Sequence, residues 1–383
     1  MIHLVITAHK RTEFFETLKK SLLNQRHTEL QIKLWFYLDK SDAQSILQHT
    51  IHQCFTDKFD LELVVRDEFK GLKINTLEAI TETFQKTESS AIVHLEDDVL
   101  LCNDAIEFIS SIAGMQSDFE QEIMGVSLYS QQNNPWTLFP LHFRTDSFFT
   151  RMGMPSSLGA VIFKNQWFDF YSSLTNNEYR DGKGGRLQLP QPMQSWDRTK
   201  SWKYELGLYL MSHGKYFLYP HSSFTAHLGK LGTHVSEMSN SMINGSLNRP
   251  GITYDVKQIY RMPMDSLDIY FEPSPSLFQN IFDHEILSQL EVDLYGTKPS
   301  STVKKYWLTS KKVKKSIHSF GYEIRNPSDN ILYNIPGDKF HLALSEDILG
   351  KPDYFQKQFL EALIGSQNKR NLLKYLWRKL LNT

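Results

Sequence analysis

The run Ala91-Ile92-Val93-His94-Leu95-Glu96-Asp97-Asp98-Val99-Leu100 constrains this chain more than any other stretch. Its apolar start has the length and bounds of a buried strand, and it delivers consecutive carboxylates to one point. Carboxylates are rarely buried unpaired, because moving a charge out of water without compensation is costly. Such a cluster at a strand end needs a cation or the hydroxyl donors of a sugar. Hard divalent ions such as Mn²⁺ or Mg²⁺ take oxygen ligands, often one or two carboxylates with substrate phosphates completing the shell. A solvated acidic turn is the bland alternative, expected for about half of such triplets in isolation.

The N-terminus weighs against that alternative. Ile2-His3-Leu4-Val5-Ile6-Thr7-Ala8 reads as a strand, and His9-Lys10-Arg11-Thr12 turns from it into a helix through Phe14, Phe15, Leu18, Leu22 and Leu23. Thr12 is a plausible N-cap. Strands follow at Ile32–Leu38, ending in Asp39, and at Leu61–Val65. Strand and helix in alternation imply a mainly parallel sheet with right-handed crossovers. Ligands of such sheets bind beyond the carboxyl ends of the strands. Arg11, Asp39 and Glu96-Asp97-Asp98 all lie at such ends and are expected to converge. A nucleotide-sugar site is the working reading.

On these residues the chain resembles the GT-A glycosyltransferases, and within them the family of N-acetylglucosaminyltransferase I and its bacterial relatives. The resemblance covers roughly residues 1–235. Leu4–Arg11 is similar to that family's opening strand and phosphate-contacting arginine, and Asp39 falls where it places an aspartate on the uracil. Glu96-Asp97-Asp98 resembles its acidic motif, which implies Asp98 on Mn²⁺ and Glu96 and Asp97 on ribose and donor sugar. Gln194-Ser195-Trp196-Asp197, His213-Gly214-Lys215, Tyr219-Pro220 and His227–His234 follow the family's order. One departure is that Asp197 is followed by Arg198 where the family has paired aspartates. The implied fold is α/β: a GT-A, Rossmann-like, mainly parallel mixed sheet flanked by helices, with a C-terminal extension.

Further residues follow from this frame. Gly71–Asn75 is expected to precede a helix from Thr76 to about Phe84; in the resembled family this segment borders the nucleotide, so Lys73 approaches a phosphate, unless it is simply a solvated lysine at a helix start. Gly125–Tyr129 and Gly159–Phe163 read as strands. The polar stretch from Asn176 to Pro192, with Gly182, Gly184 and Gly185, is long for a loop inside a compact domain and reads as a lid. Inverting sugar transfer needs a carboxylate to take the acceptor's proton and a metal to neutralise the leaving diphosphate. Asp197, between that loop and a helix through Tyr204, Leu206 and Leu210, is the candidate base. Its alternative role is capping that helix, and Glu205 and Asp181 come next. His227 and His234 flank Gly229 and Gly232; in a GT-A enzyme a late histidine can touch diphosphate or metal, and His227 is the stronger candidate.

Composition limits the function classes. The chain has 383 residues and a formal net charge of −1, which argues against a bulk electrostatic grip on nucleic acid. Its 2 cysteines exclude a disulfide framework. No apolar stretch reaches the ~20 residues of a membrane span. A strand opening at Ile2 leaves no room for a signal peptide or anchor, so a bacterial cytoplasmic enzyme is expected.

Residues 1–250 are expected to form the glycosyltransferase domain and 251–383 an extension. In the latter Tyr322–Ile324 and Ile331–Tyr333 read as short strands across the turn Asn326–Asp329, in a region of few strong strands. Leu372, Leu373, Leu376, Trp377, Leu380 and Leu381 form one helical stripe beside Lys369, Arg370, Lys374, Arg378 and Lys379. Such a helix can lie on an anionic membrane or dock on protein. The leading function is metal-dependent, inverting transfer from a UDP-sugar to a bacterial surface glycan or lipid-linked saccharide. Sugar-nucleotide nucleotidyl transfer and non-catalytic carbohydrate binding are the alternatives; the first opens on a glycine-rich loop, unlike His9-Lys10-Arg11.

Overall fold

A computed structural model of the chain describes residues 1–26, 30–137, 139–176, 189–228, 254–299 and 304–350. Asp181, most of the expected lid, Gly229, Gly232, His234 and the C-terminal basic helix lie outside the described residues. The chain forms two compact units: Met1–Gln131 with Phe143–Phe271, and Gln132–His142 with Glu272–Thr383. The division thus falls at 271/272, beyond the expected 250/251, because Ser266–Leu267 still adds a strand to the first sheet.

The first unit begins with β1 (Ile2–Ala8), α1 (Phe15–Leu23), β2 (Ile32–Leu38), α2 (Gln44–Phe55), β3 (Asp60–Val65), α3 (Gly71–Lys86) and β4 (Ala91–Glu96). Strands β3, β2, β1 and β4 pair in that order, all parallel. Alternation along β2 explains the layering. Leu34, Phe36 and Leu38 join the core with Phe15, Leu18 and Leu22 of α1 and Leu47, Ile51 and Phe55 of α2. Phe36 meets Phe15 and Phe55 at ring distances of 5.7 and 5.1 Å. Tyr37 faces the other way, its hydroxyl 3.0 Å from Thr83 of α3. Helix α1 starts at Phe15 without a side-chain cap, so Thr12 does not cap it.

The sheet then turns mixed. After β5 (Val99–Leu101) and α4 (Ala105–Gly114) come β6 (Ile123–Ser127), β7 (Phe149–Met152), β8 (Ala160–Phe163), α5 (Lys164–Asn176), α6 (Gln191–Gln194), α7 (Trp202–His213), β9 (Tyr216–Pro220), β10 (Thr225–His227) and β11 (Ser266–Leu267). Strand β8 lies antiparallel between β4 and β6, and β9, β7 and β11 complete nine strands. Gly125 is required where β6 meets β8: a Cβ there would stand 2.1 Å from the Val161 carbonyl oxygen. Both cysteines are buried and neither is in a disulfide, and no helix among the described residues is long and apolar enough to cross a membrane.

The second unit has more regular structure than its sequence suggests. Strands β12 (Leu290–Asp293), β13 (Tyr306–Thr309), β15 (His318–Phe320) and β16 (Phe340–Leu344) form one sheet in the order β12-β13-β16-β15, and β14 (Lys312–Val313) pairs with β17 (Ile348–Gly350). The two short strands expected there do not form. Asn326 instead caps a helix, Pro327–Leu332, with proline in its first turn. Asn330, buried on that helix, accepts hydrogen bonds from the backbone N–H groups of Glu323 and Ile324 at 2.8 and 2.9 Å, which takes that segment out of any ladder.

Candidate active site

Four parts of the first unit meet at the carboxyl ends of β1 and β4. Strand β4 ends at Glu96, and Asp97 and Asp98 form the tight turn into β5. Strand β10 returns antiparallel to β5, pairing His227 with Val99, and the Leu228 N–H donates to the Asp98 carbonyl at 2.7 Å. This short ribbon sets His227 Nε2 3.1 Å from Asp98 Oδ2. From the end of β1, Arg11 spans both acids, Nη1 to Asp98 Oδ2 and Nη2 to Asp97 Oδ1, with its guanidinium 5.3 Å from the Phe14 ring centre. The two aspartate side chains keep 4% of their surface exposed and Arg11 keeps 38%. The acids are thus sealed while their counter-cation reaches solvent.

Burial and charge separate the three carboxyls. Burial pushes Asp97 up to about 7, with Arg11 opposing. Burial would raise Asp98 too, but the hydrogen bond and charge of His227 and the charge of Arg11 outweigh it and hold the carboxylate below its ordinary range. His227 is raised in return, chiefly by that hydrogen bond. Glu96 is raised by burial and by Asp98.

Asp98 fits a divalent cation. Its Oδ1 is buried without a hydrogen-bond partner, as is His227 Nδ1, and an unpaired buried oxygen beside an ionised carboxylate is a ready hard-metal ligand. No group of three or more His, Cys, Asp or Glu side chains among the described residues could hold an ion by itself. The site therefore suits an ion that draws the rest of its shell from phosphate and water.

The other expected residues are placed differently. Asp39 is buried at the end of β2, and its carboxylate accepts from the backbone N–H groups of Lys40, Lys70 and Gly71 at 2.8–2.9 Å. That contact explains why α3 starts at Gly71 and not Thr76: a side chain distant in sequence satisfies its first donors. Lys73 Nζ lies 3.0 Å from Glu205 Oε1 and 3.0 Å from the Arg198 carbonyl, so it braces α3 against α7. Glu205, buried at 1% exposure, also takes Arg198. Burial would raise it, but Arg198 and Lys73 bring it below the usual carboxylate range.

Asp197 is on an exposed turn. Its Oδ1 accepts from the Thr199 hydroxyl and N–H at 2.6 and 2.9 Å, and Lys200 lies 3.0 Å from Oδ2. The Thr199 hydroxyl and Lys200 hold it down to about 2. It does not cap α7; Ser201 does, its hydroxyl accepting from the Tyr204 N–H. One residue missing from the sequence reading is Lys203. It lies 3.1 Å from the Ser157 hydroxyl and 5.2 Å from the Trp196 ring centre, and it interacts with Glu96. A lone lysine on a helix carries no signal in sequence; only the docking of α7, where Trp202 meets His94 edge-on at 5.6 Å, brings it there.

No known protein family matches the sequence, and no curated protein does. Solved structures share part of its arrangement. The mannosyltransferase PcManGT from Pyrobaculum calidifontis, in complex with GDP-Man and Mn²⁺, has a TM-score of 0.35 and 10% identity over 57% of this chain and 54% of its own. S. aureus TarS 1-349 with UDP-GlcNAc has a TM-score of 0.35 and 12% identity over 61% and 60%. GalNAc-T7 with UDP, GalNAc and Mn²⁺ has a TM-score of 0.39 and 13% identity over 63% and 46%. The chain spans less than two thirds of the length of each. Likeness at that level carries no argument about activity, which rests on the site itself.

Proposed function

We propose that this protein is a divalent-metal-dependent, inverting glycosyltransferase that takes its sugar from a UDP-sugar. The observation that carries the reading is the meeting of Arg11, Asp97, Asp98 and His227 at the carboxyl ends of β1 and β4, with an unpartnered oxygen on Asp98. Asp98, with His227 beside it, would hold Mn²⁺ or Mg²⁺, which when bound neutralises charge on the departing diphosphate. Arg11 pairs with the diphosphate in a bidentate manner suited to a guanidinium. Glu96 and Asp97 face ribose and donor sugar. Asp39 shapes the nucleotide side by holding the start of α3, and its contact to the base belongs to the likeness with the N-acetylglucosaminyltransferase I family.

Asp197 is the proposed base. Its carboxylate is open to solvent, whereas Glu205 is enclosed by Lys73 and Arg198. The proton it takes must come with release of Thr199 or Lys200, since those partners stabilise the ionised form. The proposed acceptor is a bacterial surface glycan or lipid-linked saccharide, and the sequence stripe at Leu372–Leu381 is the proposed peripheral membrane contact.

A panel of UDP- and GDP-sugars, followed by nucleotide release with and without Mn²⁺, tests the reading. Metal-dependent release from one donor is expected. Release of pyrophosphate from a nucleoside triphosphate and sugar phosphate would instead show nucleotidyl transfer, and saccharide binding without turnover a carbohydrate-binding protein. Within a positive result, Arg11→Lys should weaken UDP binding roughly 10–100-fold, the scale of lost charge-assisted hydrogen bonds.

A further inference from the structure

Resting on that reading of the site, we infer that Arg11 is an exchangeable counter-cation: it neutralises Asp97 and Asp98 until a diphosphate draws it off, and it thereby couples metal binding to nucleotide binding. One guanidinium serves both acids, with one Nη on each. Two carboxylates at 4% exposure cannot stay ionised together without a cation. A divalent ion at Asp98 would put further positive charge beside that guanidinium, and like charges in a half-buried site repel strongly. The two cations compete for the same carboxylates.

The geometry also says which partner moves. Asp97 and Asp98 are fixed in a tight turn between paired strands, and His227 holds Asp98 Oδ2 independently of Arg11. Arg11 is the solvent-reaching member, on the segment between β1 and α1, which starts without a side-chain cap. Its planar fork fits a carboxylate and a phosphate equally well. When it swings to a diphosphate, Asp98 keeps its orientation through His227, and the unpartnered Oδ1 stays available. Metal alone then binds weakly, and diphosphate raises metal affinity by more than the ligands it contributes.

Mn²⁺ affinity without nucleotide, measured by electron paramagnetic resonance of the free ion, tests this on the wild type, Arg11→Gln, Arg11→Met and Arg11→Lys. The two neutral variants should bind Mn²⁺ alone about tenfold or more tightly than the wild type, and Arg11→Lys should resemble the wild type. Mn²⁺ alone should raise the melting temperature of the neutral variants far more than that of the wild type. By linkage, the gain in Mn²⁺ affinity on adding UDP should shrink by the same factor. Equal Mn²⁺ affinity in wild type and both neutral variants would overturn the exchange. A wild type that binds no Mn²⁺ even with UDP would instead overturn the nucleotide-sugar reading. Should the neutral variants not fold, the wild type decides through its Arg11 Nε–H resonance. That signal should shift on adding Mg²⁺ with UDP, and an Arg11 signal that does not move with the two together would overturn the exchange.

Discussion

Each unit of this protein buries acidic side chains, and the two sets differ in how far they are satisfied. In the second unit Asp293 is fully buried, yet Oδ1 accepts from the Lys298 N–H at 2.9 Å and Oδ2 from Lys311 and Thr309 at 2.8 and 3.3 Å. Glu272, equally buried, accepts from the N–H groups of Leu294 and Tyr295 at 2.9 and 2.7 Å. Both oxygens of each of these two carboxylates have a partner within the unit. In the first unit Asp98 is also buried but leaves Oδ1 without one, and Arg11, which shares it with His227, reaches solvent. A buried acid whose oxygens are all taken holds a fold together. One that keeps an open lone pair beside a removable cation is built for something that arrives.

Matched substitutions break or confirm that contrast. Asp98→Ala should abolish Mn²⁺-dependent donor turnover while the protein stays folded, because no buried strand pairing depends on that side chain. Asp293→Ala should do the reverse: it strands Lys311 in a buried site and costs about 3–5 kcal/mol of stability, with turnover per folded molecule unchanged. Urea unfolding and turnover on both variants check this. Retained metal-dependent turnover in a folded Asp98→Ala protein would end the metal assignment.

The next effect is smaller and concerns Asp197. As the base, Asp197→Asn should slow transfer by roughly 10²–10⁴-fold with donor affinity little changed. If the carboxylate only ties the turn to Thr199, asparagine keeps that hydrogen bond and transfer survives. A survival of transfer would move the search to Glu205, freed from Lys73 and Arg198, or to Asp181.

The smallest effect is a pH dependence that should sit in the first unit. His94 is buried in β4, with Nε2 3.4 Å from the Thr7 hydroxyl and Nδ1 unpartnered, and burial pushes it down to about 4. Its folded value lies below its unfolded value of about 6.5, so the unfolded chain binds the extra proton between those limits and stability falls as pH drops through that window. Between pH 7 and 5.5 the His94 contribution to stability should fall by about 1 kcal/mol, opposed by Asp97, whose raised value favours the folded state as pH drops. Unfolding midpoints at the two pH values, compared with those of His94→Gln, measure it; an identical loss in the variant would remove His94 from the account.

Much of the first half was legible in sequence because local signals and global fold agree there. The strands at Ile2–Ala8, Ile32–Leu38 and Ala91–Glu96 carry apolar, β-branched runs, and parallel pairing then forces their ends to one edge. The second unit was less legible because its strands are short and its helix-cap signal is also a turn signal. Asn326-Pro327-Ser328-Asp329 suits a turn and a helix start about equally, and packing of Asn330 against Glu323 and Ile324 decided between them.

Chemistry at the site divides the same way. The sequence alone determined that Arg11, Asp97 and Asp98 would share one edge, since each follows directly from a strand end. Only the tertiary structure decided which carboxylates are free. Asp39 is spent on the start of α3 and Glu205 on Lys73 and Arg198, Asp197 stays open to solvent beside Thr199 and Lys200, and the β5–β10 ribbon brings His227 to Asp98 and leaves one oxygen open. The reason is physical: a residue's type states what bonds it can make, but which bonds remain unmade depends on partners that folding brings from far along the chain.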